Sequence, residues 1–425
     1  MKVLWITNIL FPDICDMLGI NSPVTGGWMK SSAKSILETD NNIKLAVATL
    51  YGRQYRKEII NNVTYYCLPF SVYKTKYNDS LEKYWQRVNE DFNPDIVHIH
   101  GTEFPHGLAY IRGVGTDNIV ISIQGLVGAY ARYSLGQISV AKLKRYRTLY
   151  DLLKGHLLRT PYNMAKSGEL ENEYLRLAHH VIGRTDWDRD HVWAINKNVK
   201  YHFCNETLRS PFYSTLWNIN DCEPHSIFLS QAQKPIKGIH KMVEAMPYIL
   251  REFPNAKVYV AGNDFIQKAT IKDRLRFGTY ANYVLHLMDK LNVREHFIFT
   301  GLLDEQQMAD RYKASNVFVC PSSIENSPNS LGEAQLIGTP VVASYVGGVP
   351  NMVEHGYTGL LYRFEEHEML AQCVCSIFRE KELATHLSNN ERECALIRHD
   401  GKANALRTIE IYNEILNNNL ETYEE

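Results

Sequence analysis

The sequence predicts an α/β protein made of two doubly wound, mainly parallel-sheet domains. Three observations carry that reading. Short apolar runs rich in Val and Ile recur in two series; most lack period-2 alternation; and helix-length patterns separate several of them. Strands buried on both faces of a parallel sheet read as continuous apolar runs, and strand–helix alternation is the mark of doubly wound folds.

The first series is 2-KVLWITNIL, 43-IKLAVATLY, 95-DIVHIHG, 118-NIVISIQG and 179-HHVIGRT. The second is 226-SIFLSQ, 256-AKVYVAGN, 296-HFIFTGLL, 316-NVFVCPS and 339-TPVVASYVGG, with helical patterns at 237-KGIHKMVEAMPYILREF and 304-DEQQMADRYKAS. Between the series lies 205-NETLRSPFYSTLWNINDCEPH, polar and holding two prolines, which reads as a linker. The expected division is residues 1–205 as the first domain, 206–224 as the linker and 225–400 as the second domain, with 401–425 as a C-terminal amphipathic helix. A chain of 425 residues suits two or three domains of about 150 residues each.

Composition excludes some classes. With 45% hydrophobic and 22% charged residues the chain is ordinary globular material, and its net charge of -1 argues against bulk capture of nucleic acid. The eight cysteines are scattered, and the only close pair, Cys373-Val-Cys375, lacks the spacing of a zinc or redox site. Buried thiols in a reducing cytoplasm are expected. The N-terminal run is short and ends at Pro12, so it reads as a strand rather than a membrane span or signal.

One region departs from the alternation. In 130-YARYSLGQISVAKLKRYRTLYDLLKGHLLRT, six bases between Lys142 and Arg159 face one acid, Asp151, with Leu and Tyr interleaved. A solvated helical face is the plain reading; peripheral contact with an anionic membrane through 142–159 is the sharper one.

The segment richest in chemistry is 321-PSSIENSPNSLGEAQLIGTPVV, where seven residues separate Glu325 from Glu333. A helix is expected to start near Ser330, with Ser330 as N-cap and Glu333 at N3 in a capping box. Glu325 has no such local role and follows a parallel strand, where ligands bind. The N–H groups of 329–332 at a helix N-terminus suit an anion, and Gly347-Gly348 is expected to let backbone approach a phosphate. Lys237, at the opening of a helix after the first strand of the second half, is placed to neutralise a diphosphate. Carboxylates suited to hydroxyls beside groups suited to phosphate point to a nucleotide sugar.

In the first half, Gly26 and Gly27 of 25-TGG follow the first strand. His98 and His100 alternate with Ile and so point the same way. His98 reads as a core residue, and His100, next to Gly101, as the better placed for a ligand. Asp186-x-Asp188 opens a helix with Asp186 as its expected N-cap, and no metal is expected there.

These features together resemble the retaining glycosyltransferases of family 4, whose fold is GT-B. The resemblance covers nearly the whole chain and is most specific over 316–362, which contains the Glu-x7-Glu motif, 338-GTPVVAS and 347-GGVP. It implies two Rossmann-like domains facing across a cleft, with the C-terminal helix crossing back to the first. It implies transfer of a sugar from a nucleoside diphosphate sugar to an acceptor hydroxyl, with retention of configuration and without metal or cofactor. The setting would be polysaccharide or surface-glycan synthesis, in the cytoplasm or at the inner face of a membrane, with a glycan or a lipid-linked or small molecule as acceptor.

By the same resemblance Glu325 contacts the transferred sugar and Glu333 the ribose. The backbone of Asn326, Ser327, Pro328, Asn329, Ser330 and Leu331 holds sugar and diphosphate; Lys237 holds the diphosphate. Gly27, with Gly26, approaches the phosphates, His100 contacts the donor sugar, and Gly262 joins the donor-binding set. Three positions depart from the family pattern: Gln231 stands where an arginine is usual, Asn351 where the Gly-Gly-x-Pro-Glu turn ends in glutamate, and Gln124 where a histidine is frequent. Arg184 is the expected substitute for the missing arginine. A GT-B nucleotide-sugar epimerase, and a catalytically impaired glycosyltransferase-like binding subunit, are the alternative readings.

Overall fold

The computed structural model describes residues 1–23, 26–69, 77–268 and 270–422; Thr25 of the TGG motif lies outside them. The chain forms two compact units, one of residues 1–129, 164–209 and 398–425, the other of 130–163 and 210–397.

The first unit holds an eight-stranded sheet: β1 (Lys2–Thr7), β2 (Lys44–Leu50), β3 (Arg56–Ile60), β4 (Val63–Leu68), β5 (Ile96–His100), β6 (Ile119–Ser122), β7 (His180–Gly183) and β8 (Lys200–Phe203), in the order β3-β4-β2-β1-β5-β6-β7-β8. All neighbours are parallel except the hairpin β3–β4. Alternate residues of β1 enter opposite cores: Leu4 and Ile6 pack on one face, Val3 and Trp5 on the other. Burial on both faces is why this strand shows no polar–apolar alternation.

Sequence reasoning missed the β3–β4 hairpin. Its turn is Asn61-Asn62, both with positive φ (50° and 65°), a conformation asparagine tolerates and two-residue hairpins need. It missed β8 as well, a short strand at the sheet edge.

The second unit holds a six-stranded, fully parallel sheet: β9 (Glu223–Leu229), β10 (Lys257–Val260), β11 (Phe297–Phe299), β12 (Ser315–Cys320), β13 (Val341–Ser344) and β14 (Leu360–Tyr362), ordered β11-β10-β9-β12-β13-β14. Strand order reverses between β9 and β12, as it does between β1 and β5 in the first unit. Ligands of open α/β sheets bind beyond the strand ends at such reversals.

Two segments differ from their expected places. Residues 130–163, read as part of the first domain, pack with the second unit. Ser323 Oγ donates to the Tyr133 carbonyl at 3.0 Å, and the Asp151 carboxylate accepts from Thr279 N–H. The supposed linker is also largely built in. The chain changes unit between Arg209 and Ser210. Beyond that point Trp217 Nε1–H donates to the Ser315 carbonyl at 2.7 Å, fixing 210–222 to the second unit.

Helix Gly401–Thr422 packs in the first unit on helix Gly27–Thr39. Tyr412 is the anchor: its hydroxyl accepts from Trp5 Nε1–H at 3.0 Å and hydrogen-bonds His98 Nδ1 at 2.6 Å. His98 Nε2 is paired with Ser122 Oγ, so this histidine is a core residue. Among the described residues no helix is long and apolar enough to cross a membrane. The cysteines are free thiols, all buried but Cys394, which is half-buried.

Buried histidines make stability depend on pH. His240 in the second unit is fully enclosed, bonded to Tyr280 Oη and the Gly136 carbonyl, each at 3.0 Å. Burial penalises its cation and pushes its pKa down from 6.5 to about 4. The folded state therefore holds a neutral ring where the unfolded chain binds a proton. The stabilisation is complete above 6.5 and is lost as pH falls toward 4. The thermal midpoint should drop across that window, and His240→Gln should flatten the drop; calorimetry at stepped pH measures both.

Candidate functional site

The second unit's site is assembled at the reversal between β9 and β12. After β9 the chain makes a 3₁₀ turn, Pro235–Lys237, passes through Gly238 in the left-handed region (φ 73°), and enters helix Ile239–Glu252. After β12 the loop from Pro321 leads to Glu325 and then to helix Asn329–Ile337. A Cβ on Gly238 would overlap the Pro321 carbonyl oxygen. Only glycine lets these two turns close on one another.

The same close approach recurs on the other side of the loop. Gly347 has φ 52°, and a Cβ there would overlap the Glu325 carbonyl, which accepts from Gly348 N–H at 3.0 Å. Gly347, expected to let backbone approach a phosphate, also lets the Glu325 backbone pack against it. Ser323 N–H to the Ile236 carbonyl (2.8 Å) and Ser344 Oγ to the Ser322 carbonyl (2.5 Å) complete the clasp.

Held in this way, Lys237 Nζ donates to Glu325 Oε1 at 2.6 Å, and Ser322 Oγ donates to the same oxygen at 2.7 Å. Glu325 is buried and Lys237 partly so. Burial alone works to lower the lysine pKa; the glutamate charge and hydrogen bond outweigh it, and the net shift is upward. Lys237 is therefore a fixed cation at neutral pH. Sequence reasoning missed Ser322, and nothing local marks it.

Helix Asn329–Ile337 has its N-cap at Pro328, two residues before the expected Ser330, and no side chain caps it. The expected capping box is absent, because Ser330 is the second helical residue and Glu333 the fifth. The Glu333 carboxylate instead accepts from Tyr312 Oη at 3.3 Å, and the same hydroxyl donates to the Ser330 carbonyl at 2.9 Å. A capping box does occur at Asp304–Gln307, on helix Glu305–Ala314. Leu331 and Gly332 N–H both bond the Pro328 carbonyl, so of the four N–H groups expected to suit an anion, those two are already used within the helix. Asn326 is buried, and Ser327, Pro328, Asn329 and Ser330 are half-buried.

Gln231 is exposed beyond the end of β9. Gly262 (φ 107°) pairs with Gly301 after β10, its N–H donating to the Gly301 carbonyl at 2.8 Å.

The first unit carries its own recess, about 420 Å³ counting space open to solvent, lined among others by Trp5, Trp28, His100, Gln124, Arg184 and Glu206. His100 ends β5 and is buried, stacked on His98 with centroids 3.9 Å apart and beside Trp5 at 4.4 Å. Neither of its ring nitrogens has a partner among the described residues. Burial, and then the neighbouring His98, holds its pKa well below 6.5, so the ring is neutral. Close by in sequence, Glu103 was not anticipated; burial pushes its carboxyl up to about 7, and its Oε2 is enclosed without a partner among the described residues.

Arg184 lies in the first unit, ion-paired with Glu206 and donating to the Ile123 carbonyl at 3.0 Å. Gln124 Nε2–H donates to the same glutamate at 3.0 Å. The guanidinium is thus paired within the first unit. Gly26 (φ 81°) precedes helix Gly27–Thr39, and the Arg209 side chain lies where a Cβ on Gly27 would sit. Asp186 is the first helical residue, and Thr185, not Asp186, is the N-cap. Asp188 is taken by Tyr201 Oη (2.5 Å) and Arg184 N–H (3.1 Å), and Asp186 by Arg189 (2.6 Å).

The comparisons with known proteins agree with this architecture. Residues 215–394 match the family model for glycosyl transferases group 1. The chain is 98% covered by sucrose-phosphate synthase from Thermosynechococcus elongatus (99% of that chain; TM-score 0.70, 17% identity). It is 97% covered by Anabaena HepE in complex with UDP and glucose (100% of that chain; TM-score 0.64, 15% identity). The fold is GT-B. Among curated relatives it is 28% identical over 176 residues to an uncharacterized glycosyltransferase of Methanocaldococcus jannaschii, covering 41% of each chain. It is 24% identical over 319 residues to N-acetyl-alpha-D-glucosaminyl L-malate synthase of Bacillus anthracis, covering 75% of this chain and 74% of that one. The chain thus spans only 41% of the length of the Methanocaldococcus jannaschii relative, and 38% of that of a putative glycosyltransferase of Bacillus subtilis, YtcC, to which it is 28% identical over 162 residues. The family-matched region of this GT-B chain contains Lys237, Glu325 and Glu333 alike.

Two experiments test the geometry. Gly238→Ala should destabilise the protein by about 1–3 kcal/mol through overlap with the Pro321 carbonyl, read by chemical denaturation. In a double-mutant cycle, Lys237→Met and Glu325→Gln should couple by about 1–2 kcal/mol, the double variant losing less than the two singles added.

Proposed function

We propose that this protein transfers a sugar from a nucleoside diphosphate sugar to an acceptor hydroxyl, with retention of anomeric configuration and without a metal. The observation that carries the reading is the Lys237–Glu325–Ser322 cluster at the β9/β12 reversal. It sets a fixed cation and a carboxylate beside a helix N-terminus, the groups a diphosphate leaving group and a polyol require.

In this mechanism the donor diphosphate lies against Lys237 and the N–H groups of Asn329 and Ser330. Positive charge there grows in value as the sugar–phosphate bond breaks and negative charge collects on the leaving oxygen. In the resting protein Glu325 balances the lysine; with donor bound, the ammonium is shared between carboxylate and phosphate. Glu325 accepts hydrogen bonds from hydroxyls of the transferred sugar, and Glu333, oriented by Tyr312, accepts those of the ribose. Retention follows when the leaving phosphate itself takes the acceptor proton on the face it leaves, so no protein nucleophile is required. His100, neutral, offers a ring nitrogen to a sugar hydroxyl. The match to group 1 glycosyl transferases and the UDP and glucose bound by HepE support the choice of a nucleotide sugar as donor. The acceptor is a glycan or a lipid-linked or small-molecule hydroxyl of polysaccharide or surface-glycan synthesis, met in the cytoplasm or at a membrane face.

Incubation with UDP-, GDP- and ADP-sugars, following released nucleoside diphosphate, should identify one base whose sugar is turned over, with NMR of the product showing the donor's anomeric configuration. Lys237→Ala should then lower turnover by about 10²-fold or more. Epimerised donor formed without any acceptor, or turnover unchanged in Lys237→Ala, would replace this reading.

A further inference from the structure

The insert 130–163 carries a surface that the sugar-transfer reading does not use. Helix Leu149–Lys154 leaves Leu149, Leu152 and Leu153 exposed, the first and last at 76% and 85%. Positions i, i+3 and i+4 share one side of a helix, so the three form a single apolar stripe. Asp151 is the only acid of this segment, and it is buried and spent on Thr279 N–H. The exposed charges are therefore basic: Lys144, Arg145 and Arg147 before the helix, Lys154 at its end and Arg159 beyond it.

A second exposed apolar segment of the same unit lies close by in sequence to residues bonded to this helix. The Asp151–Thr279 bond brings the helix against the start of helix Thr279–Leu291, and Asn282 Nδ2–H to the Tyr146 carbonyl (2.9 Å) repeats the contact. A few residues before Thr279, helix Ile271–Leu275 exposes Ile271 at 77% and Leu275 at 70%. Lys268, Arg274 and Arg276 flank them and are exposed. The acid there, Asp273, accepts from Thr270 N–H at 2.9 Å.

Exposed leucine and isoleucine set among bases, on helix Leu149–Lys154 and on the helix that precedes its bonded partner Thr279, is not what a water-facing surface needs. It is what an anionic bilayer takes: side chains to enter the acyl boundary and cations to meet the headgroups. Charge decides against a neutral apolar partner, because uncompensated like charges around the patch would repel without counter-charge. We propose that Leu149, Leu152, Leu153, Ile271 and Leu275, with their flanking lysines and arginines, form a docking face for an anionic lipid membrane. The face is independent of which sugar or nucleotide the protein uses.

Co-sedimentation of the full chain with vesicles tests it. Binding is expected to vesicles of phosphatidylcholine with phosphatidylglycerol, to be absent with phosphatidylcholine alone, and to weaken with added salt. A triple variant, Leu149→Ser with Leu152→Ser and Leu153→Ser, and a charge variant, Lys144→Glu with Arg145→Glu, should each bind about tenfold more weakly, with unaltered circular dichroism and donor turnover. The charge variant changes only exposed side chains, so it stands as the test should the leucine variant fail to fold. Equal binding to neutral vesicles, or wild-type binding by the folded variants, overturns the proposal. A concentration-dependent dimer in sedimentation velocity that the leucine variant abolishes also overturns it, assigning the face to a second copy of the chain.

Discussion

Two backbone carbonyls, those of Pro321 and Glu325, sit where no side chain can be accommodated, against Gly238 and Gly347. The second unit's site depends on this double close approach. It holds both ends of the Pro321–Glu325 loop at fixed distances from the turns after β9 and β13, so the Lys237–Glu325 hydrogen bond needs no flexible segment to find its geometry. A salt bridge between two long side chains on mobile loops contributes little, because ordering them offsets the attraction. Here the ordering is done by main chain, and the lysine is kept charged in a partly buried place where burial alone would disfavour it.

The two units use the same topological position for different chemistry. At β9/β12 the mouth holds an ion pair and a helix N-terminus. At β1/β5 it holds aromatic rings and a histidine kept neutral by burial, with His98, Trp5 and Tyr412 packed behind it. The first unit's recess also holds an ion pair, Arg184–Glu206, but its walls at His100 are aromatic. Helix Gly401–Thr422 belongs to this second arrangement. Its Tyr412 hydroxyl fixes the ring of His98, and through the stack it sets that of His100.

The parallel sheets were legible because burial on both faces leaves a signal in composition that needs no partner to be known. Glu325 was legible for a related reason: a charged residue in a loop after a core strand has no local explanation. Glu333 carried two readings, a capping-box residue and a ribose contact, and the helix starting at Asn329 removes only the first. The pairing of Arg184 with Glu206 was hidden because the two are separated along the chain. The hairpin Arg56–Leu68 lay behind asparagines in place of the usual glycine turn, and the close approach of the Glu325 carbonyl to Gly347 is written in neither stretch alone. What was missed was set by long-range contact, and what was found was set by local burial.

The insert 130–163 shows how far such contacts reach. By sequence it interrupts the first sheet's series, yet it is bonded to the core of the second unit: Ser323, two residues from Glu325, donates to the Tyr133 carbonyl, and the Gly136 carbonyl pairs with His240 behind the Lys237 turn. The insert is thus part of what braces the site loop at one end, while at its other end it presents leucines and bases to the surface. Its two ends are different in kind. The first is held by buried main-chain carbonyls and tolerates no change of register. The second is a short helix tied down through Asp151 and otherwise free of packing on its outer side. Substitutions on that outer side leave the carbonyls of Tyr133 and Gly136 in place, and with them the geometry of Lys237 and Glu325, so surface attachment and sugar chemistry can be altered separately within one folded unit.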